Sequence, residues 1–162
     1  MALGWQYWND DVAVEYRLNV ASRQRIAKHL LLCDADFIPP LSGRVEIRDY
    51  AQKIVSKATR FEAWSGHTLI GLVAVYCNDQ ARSAFITSVS VLREWTGKGI
   101  AANLMKQCIE RSKASGMQKI SLEVAGENAP AIRLYGSCGF VACEAHVPVV
   151  TMDLYLDSGE IV

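Results

Sequence analysis

The sequence predicts a single α/β domain with a mixed, mainly antiparallel central sheet flanked by helices. Its 162 residues fit one domain, and a hydrophobic content of 51% can fill one core. Three apolar strand-like segments follow one another in the middle of the chain, and helix and strand patterns alternate on both sides of them. The predicted element order is βααβββαβαββ.

The first part of the chain predicts one strand and two helices. Residues 13–19 alternate between apolar and polar side chains, and Ser22 is a suitable N-cap for the helix that follows. Residues 34–42 are predicted as a loop because Pro39 and the proline after it remove helical donors. Apolar residues then recur at helical spacing over 45–55.

The middle of the chain predicts an antiparallel meander. Residues 61–64, 69–76 and 84–91 have strand character, and short turns at 65–66 and 78–79 separate them. Consecutive strands joined by turns this short pair with each other in antiparallel fashion.

The last third returns to alternating helix and strand. A helix is predicted over 100–115, a strand over 119–124, and a second helix that Asn128 caps and that ends near Ser137. Two further strands, over 140–143 and 149–156, complete the domain.

Domain bounds and cellular setting follow from the same sequence. Residues 1–12 are expected to be an N-terminal extension, 13–157 the domain, and 158–162 a tail. No stretch of about 18 apolar residues and no apolar leader is present, so a cytoplasmic protein without membrane contact is expected.

Charge and cysteine content narrow the function classes. Seventeen basic residues balance seventeen acidic ones, so the chain lacks the basic excess typical of nucleic-acid binding. Five cysteines are scattered without CxxC spacing, and no His, Asp and Glu cluster has metal-ligand spacing. We therefore expect reduced thiols, no metal and no nucleic-acid partner. His29 and His67 stand alone and suggest ordinary helix or surface residues.

The most informative segment is the transition from the strand over 84–91 to the helix that starts near Ile100. Gly97 and Gly99 lie in the connecting turn, where unpaired backbone amides meet the positive end of the helix dipole. Glycine also lets the backbone approach a ligand closely. The pattern predicts a pyrophosphate-binding cradle, although an ordinary glycine turn has the same local sequence.

Two known phosphate-binding patterns can be compared with this segment. The mononucleotide pattern GxxxxGK[ST] does not occur in the chain. The dinucleotide pattern GxGxxG/A matches residues 97–102, and Glu123 lies on the next strand, where a ribose-binding acid is expected. However, the match comes late in the chain and follows an antiparallel meander. Dinucleotide binding remains an alternative at this point.

Three segments together resemble the GNAT-type N-acetyltransferases. These are the loop over 91–101, the strand Leu122-Glu123-Val124, and the N-x-x-A-I-x-L-Y-x-x-x-G-F pattern over 128–140. The resemblance covers 13–157. It implies transfer of an acetyl group from acetyl-CoA, as cosubstrate, to a primary amine by direct attack in a ternary complex. A small molecule, an amino sugar or a peptide N-terminus fits as acceptor, and a homodimer is compatible with the family.

The resemblance also implies which residues bind the cosubstrate. The pantetheine arm would pair with the strand edge near Val89 and Val91. Asn128 would face the cosubstrate, although it also suits a plain N-cap role. The pyrophosphate would meet the backbone amides of Thr96, Gly97, Lys98, Gly99, Ile100 and Ala101.

Two side chains are the candidate catalytic groups. An amine acceptor of pKa about 10.4 must lose a proton, and a departing thiolate benefits from an acid. Glu123 alternates with two apolar neighbours, so its carboxylate is expected on the open face of the strand. The Leu-Glu-Val string resembles the family's ribosomal-protein N-terminal acetyltransferases. In those enzymes a glutamate at this position is the base. The resemblance places Tyr135 beside the sulfur as the acid. A cross-strand ion pair for Glu123 and simple packing for Tyr135 are the alternatives. A non-catalytic CoA-sensing module on the same fold also remains open.

Overall fold

The fold was analysed in a computed structural model, which describes residues 14–156. The predicted extension over 1–12 and the predicted tail over 158–162 lie outside the described residues. Within 14–156, no helix is both long enough and apolar enough to cross a membrane.

The observed order of elements is βααβββαβαββ, which confirms the predicted order and fold class. The strands are β1 Glu15–Leu18, β2 Thr59–Ser65, β3 Thr68–Asn78, β4 Ser83–Val91, β5 Lys119–Ala125, β6 Val141–His146 and β7 Val149–Tyr155. The helices are α1 Arg23–Cys33, α2 Ile47–Lys57, α3 Ile100–Ala114 and α4 Ala129–Ser137.

Helix starts follow the capping chemistry of the sequence, with one exception. The Ser22 side chain accepts a hydrogen bond from the Arg25 amide at the start of α1. Asn128 accepts one from the Ala131 amide at the start of α4, as its predicted N-cap role requires. In contrast, Gly99 at the start of α3 offers no capping side chain.

All seven strands form one sheet in the order β1-β2-β3-β4-β5-β7-β6. Every neighbouring pair is antiparallel except β4 and β5, which run parallel with α3 as their crossover. Strand β7 enters between β5 and β6, so the last two strands do not simply extend the sheet in chain order.

Helices cover both faces of the sheet and create two apolar cores. Helix α3 packs against the face that carries Ile86 and Ile120, and Tyr135 of α4 joins this core. Helices α1 and α2 cover the other face, where Ile26 and Ile54 are completely buried. Burial of such apolar surface on both faces is the main force that holds the layers together.

Strand β4 contains a β-bulge at Thr87. Its neighbour β3 pairs Ala74 with Ser88 and the next residue, Val75, with Ile86, so Thr87 is the extra residue. A bulge reverses which side chains face each side of a sheet. Before the bulge Ile86 faces the α3 core, and after it the valines at 89 and 91 do so.

Candidate active site

A cleft opens where β4 and β5 stop pairing. The parallel ladder runs from Ser83 with Lys119 to Ile86 with Leu122 and ends there. Beyond it the strands diverge and border a cleft of about 980 Å³. Residues 88–91 remain paired with β3 only, so the β4 edge that faces the cleft keeps free backbone donors and acceptors.

The N-terminus of α3 points free amides into this cleft. Gly97 and Gly99 have φ angles of +79° and +80°, a left-handed conformation that glycine adopts without strain. The first helical amide with the normal bond is that of Asn103, which donates to the Gly99 carbonyl over 3.0 Å. Within the described residues, the amides of 97–102 have no backbone acceptor. Free amides at a helix N-terminus are suited to binding an anion, which is the arrangement that the sequence predicted.

Close packing on β3 fixes the position of this helix end. A Cβ added at Gly71 would lie 3.0 Å from Ile100 Cγ2 and 3.2 Å from Leu104 Cδ1. Only a residue without a side chain allows α3 this near to the sheet. The first turn of α3 is therefore held against the rigid centre of the fold.

The predicted cosubstrate-binding residues lie around the cleft, with one exception. Lys98 does not line it. Asn128 lines it, and its side chain caps α4. The other predicted residues that line the cleft are Val89, Val91, Thr96, Gly97, Gly99, Ile100 and Ala101.

Glu123 lies on the wall of the cleft formed by β5. Its apolar neighbours Leu122 and Val124 are buried in the α3 core, so the carboxylate lies on the opposite, exposed face. The residue opposite it on β7 is Thr151, and among the described residues no cation forms an ion pair with it. The cross-strand ion pair considered from the sequence is therefore absent from this part of the chain.

Tyr135 lines the cleft from the opposite layer. It lies on α4 and is 8% exposed, and its ring packs against Phe140 with centroids 6.2 Å apart. Burial, with a smaller effect of the Cys138 thiol, raises the pKa of Tyr135 to about 12. The phenol therefore keeps its proton at neutral pH. The cleft thus holds a carboxylate, a protonated phenol and a cradle for an anion.

Comparison with known proteins identifies the family. A family model described as "Acetyltransferase (GNAT) family" matches residues 26–140, which is more than half of the chain. The chain belongs to the GNAT acetyltransferases. This confirms the family expected from the sequence.

The relatives of this GNAT protein are distant in sequence. It is 28% identical over 83 residues to the N-alpha-acetyltransferase MAK3 of Arabidopsis thaliana, a match that covers 50% of this chain and 44% of the relative. The matched part thus spans less than half of that relative's length.

Two solved structures share its fold. The ribosomal-protein-S18-alanine N-acetyltransferase of Escherichia coli has a TM-score of 0.71 at 17% identity, with 91% of this chain and 99% of the other covered. The acetyltransferase yncA of Salmonella typhimurium, solved with its cofactor acetyl-CoA, has a TM-score of 0.71 at 18% identity, with 92% and 97% covered. At such identities the similarity establishes the fold alone.

The loop between α1 and α2 closes one end of the GNAT cleft. Asp34 accepts hydrogen bonds of 2.7 Å from both the amide and the hydroxyl of Ser42, which lowers its pKa. Asp36 forms an ion pair with Arg93 in the turn after β4. The two acids that the sequence places in this loop therefore stabilise its conformation, and Asp36 also lines the cleft.

A buried polar pair escaped the sequence interpretation. His29 is 1% exposed, and its Nε2 atom lies 2.8 Å from Oγ of Ser90, a residue that lines the cleft. Spacing was the available signal: His29 follows Ile26 by three residues and precedes Cys33 by four, and both neighbours are buried. The helical spacing that defines the apolar face of α1 therefore also indicates that His29 lies on that buried face.

Proposed function

We propose that this GNAT protein transfers an acetyl group from acetyl-CoA to the nitrogen of a primary amine by direct attack in a ternary complex. One observation carries the proposal: the cradle at the start of α3, Glu123 and Tyr135 all open into the same cleft. Binding, proton removal and proton donation would then take place in one continuous space.

The residues present suit acetyl-CoA. The free amides of 97–102 and the positive end of the α3 dipole favour a diphosphate. The unpaired edge of β4 at Val89 and Val91 would take up the amide groups of the pantetheine arm as an added strand does. When bound, acetyl-CoA supplies the acetyl group as a thioester.

Glu123 would act as the general base. An alkylammonium acceptor has a pKa of about 10.4 and is protonated at neutral pH. The exposed carboxylate, free of described ion-pair partners, would take one proton from the acceptor, directly or through a water molecule. The nitrogen then forms its bond to the acetyl carbon.

Tyr135 would act as the general acid. As the carbon–sulfur bond breaks, the electron pair goes to sulfur, and the Tyr135 hydroxyl would donate its proton there. The acceptor nitrogen would lose a second proton as the tetrahedral intermediate collapses, and this proton would replace the one that Tyr135 gave to sulfur. The products would be the N-acetylated amine and the free thiol, and the proton first taken by Glu123 would pass to solvent. A phenol of pKa about 12 is fully protonated before the reaction, as this role requires.

The test combines binding and turnover. Calorimetry should detect binding of acetyl-CoA, and an amine panel that includes amino acids, an amino sugar, a polyamine and a short peptide should release free thiol and give acetylated products by mass spectrometry. Binding with no product from any amine would favour a CoA-sensing module instead. Stabilisation by NAD but not by acetyl-CoA would favour the dinucleotide alternative.

A further inference from the structure

We propose that the acceptor is an amine that also carries a carboxylate, and that Arg44 binds this carboxylate. The inference rests on the proposed acetyl transfer and specifies its acceptor class.

Arg44 is an unpaired cation on the cleft wall. It follows the short helical turn Leu41–Gly43, where its amide donates to the Leu41 carbonyl over 2.9 Å, and it lines the cleft. Among residues 14–156, no carboxylate lies within ion-pair distance of its guanidinium group. A guanidinium group presents two parallel donors that match the two oxygens of a carboxylate.

The charges around the cleft indicate a ligand with both signs. Asp36 is already paired with Arg93, which leaves Glu123 and Glu127 as the unpaired acids on the lining and Arg44 as the unpaired base. An acceptor with its ammonium group at Glu123 and its carboxylate at Arg44 would neutralise both sides. A simple polyamine would leave Arg44 facing another cation.

Apolar side chains border the space next to Arg44. Phe37 and Ile38 line the cleft on the same loop. They would contact the hydrocarbon part of the acceptor, which directs the choice of probes to leucine and phenylalanine in addition to β-alanine and γ-aminobutyrate.

The experiment compares each of these four amino acids with its own carboxamide. Calorimetry measures their binding to the free protein and to its complex with CoA, and thiol release from acetyl-CoA measures KM and kcat. We expect the carboxylate form to bind about 10–100-fold more tightly than the amide, since hydrogen bonds to charged groups are the strong ones. Arg44→Gln should abolish this preference, Arg44→Lys should retain part of it, and Arg48→Gln, on the exposed side of α2, should leave it unchanged.

Melting temperatures separate a binding role of Arg44 from a structural one. Because no carboxylate among the described residues pairs with Arg44, Arg44→Gln should keep the melting temperature of the unchanged protein, while KM for the carboxylate form rises. Equal binding of acids and amides, no binding of any probe, or a preference that survives Arg44→Gln would overturn the inference. If acids are preferred but no thiol is released, the subsite stands and the proposed acetyl transfer fails.

Discussion

His29 Nε2 lies 2.8 Å from Ser90 Oγ, so this pair joins α1 to the half of β4 that borders the cleft. The other ring nitrogen, Nδ1, lies 2.9 Å from the Leu69 carbonyl, which can only accept a hydrogen bond. Nδ1 therefore carries the proton, and Nε2 accepts the proton of the Ser90 hydroxyl. The neutral imidazole satisfies both neighbours, whereas protonation would place a positive charge in this buried site.

This pair predicts a loss of stability in acid. Burial lowers the pKa of His29 to about 4, against an ordinary value of about 6.5. The contribution of the neutral His29 ring to the free energy of unfolding is fully present above pH 6.5. It is lost as the pH falls through the pKa of His29 in the folded protein, in total about 3 kcal/mol. Denaturant titrations between pH 7 and about pH 4.5 should show His29→Gln losing less stability than the unchanged protein. The exposed His67→Gln is the control, and an acid loss that His29→Gln leaves undiminished would contradict the assignment.

Removal of the Tyr135 hydroxyl should reduce turnover without reducing binding. Tyr135→Phe keeps the ring that packs on Phe140, so acetyl-CoA affinity and melting temperature should change little. We expect kcat to fall about 100-fold, at the lower end of the usual effect of a general acid. Tyr155→Phe, on an exposed residue of β7, should have no effect. Unchanged kcat in Tyr135→Phe would exclude the acid role.

Replacement of Glu123 should produce a defect that depends on pH. Glu123→Gln cannot accept the proton of the ammonium group, so kcat/KM near pH 7 should fall by about 100-fold or more. As the pH approaches the pKa of the amine, more acceptor is already deprotonated and the deficit should shrink. Glu127→Gln is the matched control, because this carboxylate also lines the cleft. A larger defect in Glu127→Gln would move the base to that residue.

A methyl group at Gly99 should weaken acetyl-CoA binding through the backbone. The φ angle of +80° is strained for alanine by about 1–2 kcal/mol, while no atom lies close enough to clash with the added Cβ. We expect the dissociation constant of acetyl-CoA to rise about tenfold as the cradle shifts. Gly116→Ala carries the same kind of strain, at φ +86° after the other end of α3. Gly116→Ala should lower the free energy of unfolding by a similar amount and leave the affinity for acetyl-CoA unchanged. Equal affinities for acetyl-CoA in the two variants would argue against the cradle.

The sequence predicted the elements well wherever local chemistry determines them. Ser22 and Asn128 cap their helices as expected, and Glu123 faces the cleft because strand alternation alone orients it. The segments that carry the family pattern, from the β4 turn to α4, also lie where they were predicted, although Lys98 does not line the cleft.

Features that depend on distant partners could not be predicted in this way. The insertion of β7 between β5 and β6 and the end of the β4–β5 ladder at Ile86 are set by pairing across the sheet. Arg44 and Glu123 line one cleft although they lie far apart in the sequence. Sequence spacing carries no information on such long-range contacts, since no local rule links residues this far apart.

The bulge at Thr87 allows one strand to serve two interiors. Because Thr87 is the extra residue, Ile86 and the valines at 89 and 91 face the α3 layer, while Ser88 and Ser90 face the other layer. Deletion of Thr87 would remove the local bend and leave the facing of these side chains unchanged, whereas deletion of Ser90 would turn Val91 away from the α3 layer. Natural variants of this protein should therefore lose a residue at position 87 more readily than at position 90.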